Sequence, residues 1–436
     1  MKIKSLILGS VAAAGLSTGA MAADLGTVLT NLDVCDALGV SGLTISSDTN
    51  CLQITGGVSY EFTWGDYNNT DRYASNLLTG GTTGIMAPGG PAGLDLDWNS
   101  TVEAWLRFEA SADSSFGTAM AVIQIEYTNA YTVVNEGTAV LGGVSTSMVF
   151  GVGDAYVSVG DSTVLMAGQK GTIANFDNED PFNYLGLFNA SIVGGVSGNT
   201  AFLGTGGHVI QVTSDLGDGF SVAAGLENIN SGTAAGDGTA VGVIAYDGDT
   251  VDANLTVLAG GVLDGTIENW GMQAGITADL DMFRVRGAIA ADNTGYWNAL
   301  GSAEAEFDMF TLAVSGEAGA APVGVFVGVG GSISADVTDT VTLNLGGRWF
   351  DRDTGTTPAE TTWEVAGQLI ADVTETITLT GELGYIAKSA PGADADIYFG
   401  GDIAWAPGGG FEASVGAEAN TNGAYQVSFN ASKDFE

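Results

Sequence analysis

The sequence predicts an all-β protein, and more narrowly a transmembrane antiparallel β-barrel of about 16–20 strands with a long loop folded into its lumen. Three observations support this prediction. Apolar and polar residues alternate with a period of two from Asn99 onward. The alternating stretches are about ten residues long, which suits strands that cross a bilayer better than the typical five or six residues of a soluble strand. The chain also opens with a segment typical of exported proteins.

Residues 1–22 are interpreted as a signal peptide. Lys2 and Lys4 precede a short apolar run, and Ala20, Met21 and Ala22 end it with the small residues that a signal peptidase requires. The run is too short and too interrupted by glycine for a membrane-spanning helix. We therefore expect an exported protein that crosses a membrane, if it does, with strands.

Residues 23–50 form a predicted N-terminal segment that carries Cys35, and Cys51 follows directly after it. Two cysteines close together in an exported chain usually form a disulfide, which would close a loop worth ~3 kcal/mol. A metal site is the alternative, but it would need more ligands nearby. We expect the Cys35–Cys51 disulfide.

Residues 51–436 form the predicted barrel. In the stretch STVEAWLRFEA, Val102 and Leu106 share one face and Glu103 and Arg107 the other. Short turn signals recur roughly every 30 residues, as expected for hairpins. They lie near Asp113, Asp161, Asp215, Asp247, Asp279, Asp308, Asp336, Asp372 and Pro407.

The orientation of the two faces separates a membrane barrel from a soluble sheet. A soluble domain hides its apolar face, whereas a barrel in an outer membrane turns that face to lipid and keeps a polar lumen. Barrels also carry aromatic girdles at both interfaces. The candidates for these girdles are Phe220, Phe283, Trp349, Trp363, Tyr385, Trp405 and Phe411.

One connection is longer than the others. A strand ending near Gly168 and the next starting near His208 leave a candidate constriction loop at residues 169–206. Loops of this length are usually functional. Its Asp177, Glu179 and Asp180 would set three carboxylates across the pore.

Cationic residues are the expected counterparts of these acids. The pore-wall candidates on the polar face are Arg107, Arg284, Arg286 and Arg348, with Lys170 at the root of the loop. Rows of opposite charge would orient dipolar solutes. The alternative is that the acids are solvated loop residues and that the arginines pair with glutamates of the lumen.

The charge of the chain restricts its partners. The formal net charge is −40, which makes nucleic acid a poor partner. Glutamates on the polar face outnumber the arginines, so we expect a cation-preferring channel. These glutamates are Glu103, Glu109, Glu126, Glu304, Glu306, Glu317, Glu364 and Glu382.

Two stretches resemble the alphaproteobacterial porin family. VCDALGVSGLTISSDTNCLQITGGVSYEF, at 34–62, is similar to the entry segment of that family, and AYVSVGDSTVLMAGQKGTIANFDNEDPFNY, at 155–184, to the strand and loop that enter its pore. The resemblance implies a homotrimeric channel in the outer membrane of a Gram-negative bacterium, among lipid and lipopolysaccharide. Its activity would be passive diffusion of small hydrophilic solutes and ions.

The resemblance also implies how the barrel is built and inserted. Members of the family have 16 strands, while nine turn signals here would join about 20. Their terminal aromatic residue is read by the barrel-assembly machinery, and Phe435, although followed by Glu436, keeps the phase of Phe429.

The residues do not favour an enzyme, because a hydrolase needs a nucleophile, a base and an orienting group, and the one histidine, His208, lies at a strand start. We expect no cofactor and no dedicated metal site, although acidic external loops could bind Ca²⁺ loosely. Two other functions stay open. One is a substrate-specific channel with Tyr184 and Phe188 along its path, and the other is an exported acidic β-rich surface or adhesin protein.

Overall fold

The computed structural model describes residues 33–66, 95–135, 143–192, 194–196, 205–230, 238–322, 324–353, 360–389, 395–421 and 423–435. The signal peptide predicted at 1–22 lies outside these residues. The described chain contains one short helix, α1 (Asp33–Ala37), a 3-10 turn at Val262–Asp264, and strands of one sheet. No helix within the described ranges is long and apolar enough to span a membrane.

The strands are β1 (Thr44–Ser46), β2 (Cys51–Asp66), β3 (Asp95–Ser114), β4 (Gly117–Asn135), β5 (Gly143–Gly160), β6 (Thr163–Lys170), β7 (Gly207–Gly217), β8 (Phe220–Glu227), β9 (Thr239–Asp247), β10 (Val251–Gly260), β11 (Asn269–Leu280), β12 (Phe283–Asp292), β13 (Trp297–Phe307), β14 (Phe310–Ala321), β15 (Gly324–Thr338), β16 (Val341–Asp353), β17 (Glu360–Thr374), β18 (Ile377–Lys388), β19 (Asp396–Gly408), β20 (Phe411–Asn420) and β21 (Tyr425–Phe435). Each strand from β2 onward pairs antiparallel with the next strand in sequence.

The sheet closes on itself because β21 pairs with β2. Their register runs from Gly56 opposite Phe435 to Asp66 opposite Tyr425. β2 to β21 therefore form a closed ring of 20 strands, and β1 is a short addition to the start of β2. The predicted antiparallel barrel is confirmed, at the upper end of the predicted strand number and not at the 16 that the family resemblance implied.

The nine short turns predicted from sequence all join neighbouring strands. They connect β3 to β4, β5 to β6, and each later odd-numbered strand to the next, up to β19 and β20. The turn after β7 shows the local cause, because Asp218 and Gly219 have φ values of 53° and 81°. Positive φ at both central residues is the geometry of a type I′ hairpin turn. The longer connections lie at the opposite rim.

The two faces of the barrel have opposite chemistry. The exposed face is apolar, and its residues include Val257, Ile276, Leu345, Leu383 and Ile403, which are 48–59% exposed. The alternate positions are buried and largely polar, and they include Asn254, Thr256, Gln273, Asn298 and Gln368, at 0–6% exposure. We call these the apolar face and the polar face. A soluble β-rich protein would have the reverse arrangement, so this observation argues against the adhesin alternative.

Aromatic residues ring the apolar face near both rims. Phe220, Phe283 and Trp405 lie at the rim of the short turns, while Trp349 and Trp363 pair with each other near the opposite rim. β13 begins at Trp297 and ends at Phe307. These two aromatic residues are ten residues apart, and each residue of a strand rises ~3.3 Å. With the strand tilted by about 40° from the barrel axis, the two girdles are separated by ~25 Å, the height of the apolar band of membrane barrels.

The disulfide predicted between Cys35 and Cys51 is present, and both residues are buried. It links α1 to the first residue of β2, with 4.9 Å between the two Cα atoms. The N-terminal segment is thereby fastened to the barrel at the rim of the short turns.

The exposed apolar face generates a stability prediction. Leu345 lies on β16, about midway between the short turn after β15 and the aromatic girdle that contains Trp349. Its side chain is 48% exposed. We expect Leu345→Arg to lower the free energy of unfolding in lipid vesicles by about 2–4 kcal/mol, because its charge enters hydrocarbon. The measurement is urea unfolding, with Leu345→Ala as the uncharged control. An arginine variant as stable as wild type would contradict the membrane orientation of this face.

Candidate functional site

The connection between β6 and β7 has the longest described course outside the strands. It leaves β6 after Lys170 and reaches β7 at Gly207, in the part of the chain where the candidate constriction loop, 169–206, is predicted. We call residues 171–196 the β6–β7 segment. Most of it has no regular secondary structure. Its position is instead set by side chains of the polar face on strands from β7 to β18.

Both roots of this connection are tied to one buried carboxylate. Glu227, at the end of β8, is fully buried. Its Oε1 accepts from the backbone N–H of Ile173 at 2.9 Å, and its Oε2 accepts from the N–H of Gly206 at 2.8 Å. The Gln211 amide of β7 also donates to Oε1, at 2.8 Å. Charge-assisted hydrogen bonds of this kind are about twice as strong as neutral ones.

The next stretch follows the polar face of β10 and β11. The N–H of Asn175 donates to Thr256 Oγ1 at 3.1 Å, and the Asn178 amide donates to Asn254 Oδ1 at 3.1 Å. Gln273 Nε2 donates to the carbonyl of Asp177 at 3.1 Å. Neutral amides and hydroxyls thus hold the backbone beside the three predicted constriction acids.

The stretch then crosses β12 to β15. Arg286 Nη1 donates to the carbonyl of Asp180 at 2.8 Å. The N–H groups of Phe182 and Tyr184 donate to the hydroxyls of Ser302, at 2.9 Å, and Ser332, at 3.0 Å. β12, β13 and β15 therefore each offer one polar group to this stretch of the segment.

Two tyrosines act as fixed hydrogen-bond donors. The phenol of Tyr184 donates to Glu382 on β18, and burial, reinforced by that carboxylate, raises the pKa of Tyr184. The phenol of Tyr296, in the turn after β12, donates to the carbonyl of Val196 at 3.1 Å. Burial raises the pKa of Tyr296 to about 12. Both groups therefore keep their protons at physiological pH.

The far part of the segment is the most deeply buried. Leu187, Phe188 and Ala190 are at most 1% exposed. Glu317 on β14 accepts from the N–H of Asn189 at 3.0 Å and from that of Ala190 at 2.8 Å. Two apolar clusters surround these contacts. One contains Leu187, Ala190, Val196, Ala288, Ala290 and Leu300, and the other Phe188, Phe326, Phe350 and Ile386.

Glycines on the polar face make room for the segment. A Cβ at Gly275 would lie 2.8 Å from the carbonyl oxygen of Asp177, and one at Gly330 would lie 3.2 Å from that of Gly186. A Cβ at Gly346 would meet the Tyr184 ring at 3.0 Å. A glycine inside a strand is a signal of close backbone approach. The sequence contains this signal, but nothing in the strand pattern links these glycines to the loop.

The predicted constriction acids lie over a polar cavity. It has a volume of about 760 Å³ and lies between the segment and β8 to β10. Its charged lining residues are Asp177, Glu179, Asp180, Asp247, Asp252 and Arg286. Acids therefore outnumber bases there. In the ranges the structure describes, no three His, Cys, Asp or Glu residues are arranged to hold a metal ion.

Two predicted wall cations, Arg107 and Lys170, lie around Tyr156 on the wall of β3 to β6. Arg107 on β3 donates to Asp154 at 3.1 Å and to the Tyr156 hydroxyl at 3.0 Å. The Lys170 ammonium lies 4.5 Å from the centre of the Tyr156 ring. The Glu109 carboxylate is 3.5 Å from the Arg107 Nε. Paired carboxylates thus offset the charge of Arg107.

The other three arginines lie elsewhere than predicted. Arg284 and Arg286 stack on the Phe182 ring of the segment, at 4.8 and 4.6 Å from its centre, and so lie beside the acids rather than opposite them. Arg348 is only 4% exposed and forms an ion pair with Glu364. Its charge is shielded from water, because Glu364 and the overlying segment cover the guanidinium. Both are long-range contacts, which a strand pattern does not reveal.

Some predicted lumen groups are likewise buried, either on the wall or within the segment itself. Glu317 and Glu364 are at most 3% exposed, so neither is an open lumen charge. Phe188, a candidate for an aromatic substrate path, is 1% exposed and packs in an apolar cluster. Glu317 binds the backbone of the segment directly, and Glu364 binds Arg348, which donates to two carbonyls of the segment. Phe188 belongs to the segment and packs it against the wall.

Comparison with known proteins finds porins among the relatives of this chain. No family model matches the sequence. Porin Omp2b of Brucella suis is 26% identical over 286 residues, which are 64% of this chain and 66% of the relative, slightly under two thirds of its length. Porin Omp2a of Brucella ovis is 26% identical over 272 residues, 57% of this chain and 71% of the relative. The resemblance to alphaproteobacterial porins is confirmed.

Solved barrels give matches over most of the chain. Pseudomonas aeruginosa OpdQ is 7% identical, with 88% of this chain and 99% of that chain covered and a TM-score of 0.48. A mutant of the Rh. blastica porin is 11% identical, with 88% and 100% covered and a TM-score of 0.34.

The glycines of the polar face that contact the segment lead to a prediction about its stability. In Gly275→Ala the new Cβ meets the Asp177 carbonyl, so we expect the segment to lose about 1–3 kcal/mol of local stability. Hydrogen exchange of the Asn175 and Phe182 amides should then become faster. Gly381→Ala is the matched control, since a Cβ there meets nothing within 4 Å. Equal exchange rates in the two variants would contradict the role of this glycine.

Proposed function

We propose that the protein is an outer-membrane porin of a Gram-negative bacterium, a water-filled channel for passive diffusion of small hydrophilic solutes and ions. The observation that carries this proposal is the closed 20-strand barrel with an exposed apolar face and a buried polar face. Lipid requires the first face and a closed ring, and an aqueous path requires the second. The similarity to Brucella porins supports the same function.

In this proposal the β6–β7 segment is folded into the lumen and narrows it. Its hydrogen bonds to the polar face of β7 to β18 support this placement. The path runs between Asp177, Glu179 and Asp180 on the segment and the wall of β3 to β5 that carries Arg107. Constriction by charged groups selects solutes by size and charge.

We propose that the channel prefers cations. Arg107 is paired with Asp154, and Arg348 with Glu364, so these arginines add little net positive charge to the path. Carboxylates on the polar face of β18 to β20, at Glu382, Asp402 and Glu418, add negative charge. A lumen with excess negative charge lowers the energy of a passing cation.

The remaining partners belong to the same proposal. They are lipopolysaccharide and lipid on the apolar face, two further copies in a homotrimer, and the barrel-assembly machinery, which would read Phe435. That residue is 41% exposed and lies opposite Gly56. Loose Ca²⁺ binding by external acidic loops stays a prediction. We propose no enzymatic activity and no cofactor.

Conductance across planar bilayers tests the proposal. We expect stable ion channels whose reversal potential under a salt gradient indicates cation preference. Absence of conductance from folded protein would refute the channel, and anion preference would refute the charge assignment.

Neutralising the acids of the segment tests the constriction. We expect the triple variant Asp177→Asn, Glu179→Gln, Asp180→Asn to reduce the cation-to-anion permeability ratio about tenfold. Each charge about 8 Å from an ion in water contributes ~0.5 kcal/mol. The matched control removes the same charge from exposed short turns, in Asp308→Asn, Asp339→Asn, Glu375→Gln. Equal ratios in the two triple variants would contradict a constriction at the segment.

A further inference from the structure

We infer that Arg348 is a positioning residue of the channel: it sets the place of the β6–β7 segment, and hence the pore width, while its charge takes no part in ion selection. This inference rests on the proposed function. It reverses the expectation from sequence, in which Arg348 was a pore-wall cation.

The guanidinium of Arg348 bridges the barrel wall and the segment. Nη1 donates to the carbonyl of Leu185 at 2.9 Å and to that of Leu187 at 3.2 Å. Nε donates to Glu364 Oε2 at 2.7 Å, and Nη2 lies 2.5 Å from the same oxygen. A planar group with five donors can make these bonds together, whereas an ammonium is a compact point donor.

The positive charge is enclosed on every side. Glu364 is 1% exposed and neutralises it, and the second oxygen of Glu364 accepts from the Tyr398 hydroxyl at 2.6 Å. The Phe188 ring covers the guanidinium, whose central carbon lies 4.1 Å from the ring centre. Phe188 itself packs on Phe350. A compensated charge beneath an aromatic ring acts on a distant ion only weakly.

Three neighbouring strands, β15, β16 and β17, form the environment of Arg348. On β16 it lies directly opposite Gly330 of β15 and Glu364 of β17. Gly330 leaves space for the Leu187 side chain, since a Cβ there would come within 3.2 Å of it. Arg348 thus fixes the part of the segment between two other anchors, at Ser332 and Glu317.

These neighbours decide what loss of Arg348 would do. Without it, two buried carbonyls lose their donor, which is costly in a low-dielectric interior. The anchors at Tyr184 and at Asn189 remain, so the segment stays attached and residues 185–188 shift between them. The expected consequence is a pore of fluctuating width with unchanged selectivity.

Two variants separate position from charge. Arg348→Lys keeps the charge and loses the fork of donors. The double variant Arg348→Met, Glu364→Leu removes both charges together and leaves no lone buried ion, an exchange that proteins often tolerate. Arg352→Lys, the same substitution four residues further along β16, is the matched control.

Single-channel recording in planar bilayers is the test. In both variants we expect the channel to spend about tenfold more time in a shifted conductance level, with larger open-channel noise and the reversal potential of wild type. A tenfold change corresponds to 1.4 kcal/mol. A reversal potential that moves toward greater cation preference in the double variant, with wild-type noise, would overturn the inference.

Hydrogen exchange decides the inference independently of conductance. In Arg348→Lys the amides of Gly186 and Leu187 should exchange about tenfold faster, while those of Asn189, held by Glu317, and Asn175, held by Thr256, keep their wild-type rates. Wild-type rates at all four amides would overturn the positioning role. If wild-type protein fails to conduct, the proposed function fails, and the exchange result still tells whether Arg348 holds the segment.

Discussion

The structure depends on one constraint: a strand surrounded by hydrocarbon must have all its backbone groups paired within the sheet. A single sheet meets this requirement only by closing, and pairing of β21 with β2 closes it here. Closure separates the two faces for good. Alternate residues of every strand must then serve lipid on one side and a polar interior on the other.

The polar face of the barrel has to accommodate its own charges and its contacts with the β6–β7 segment at once. The β6–β7 segment has little structure of its own and takes its course from the wall. Buried carboxylates, Glu227 and Glu317, accept its backbone N–H groups, and Arg348 donates to its carbonyls. At these buried positions the local dielectric constant is low, so such hydrogen bonds are strong and an unpaired polar group would be costly. The same charges are therefore compensated within the structure.

Much of the fold could be predicted because its determinants are local. Period-two alternation and turn residues such as Asp218 and Gly219 depend on neighbouring residues, and all nine short turns followed from them. The site was less predictable because its contacts are distant in sequence. Arg348 meets Leu185 across 163 residues and Glu317 meets Asn189 across 128. Alternation assigned these side chains to the polar face but could not show that the segment covers them. The strand glycines at Gly275, Gly330 and Gly346 held that information, because each leaves space for backbone or side-chain atoms of the segment.

The most direct measurement is the accessibility of single cysteines along β19 in the protein embedded in lipid vesicles. Cysteines are placed one at a time from Phe399 to Ala404 and exposed to a water-soluble thiol reagent, while the Cys35–Cys51 disulfide stays oxidised. The account predicts reaction at Gly400, Asp402 and Ala404, which face the interior, and protection at Phe399, Gly401 and Ile403, which face lipid. Reaction at Phe399, Gly401 and Ile403 with protection of the other three would contradict it.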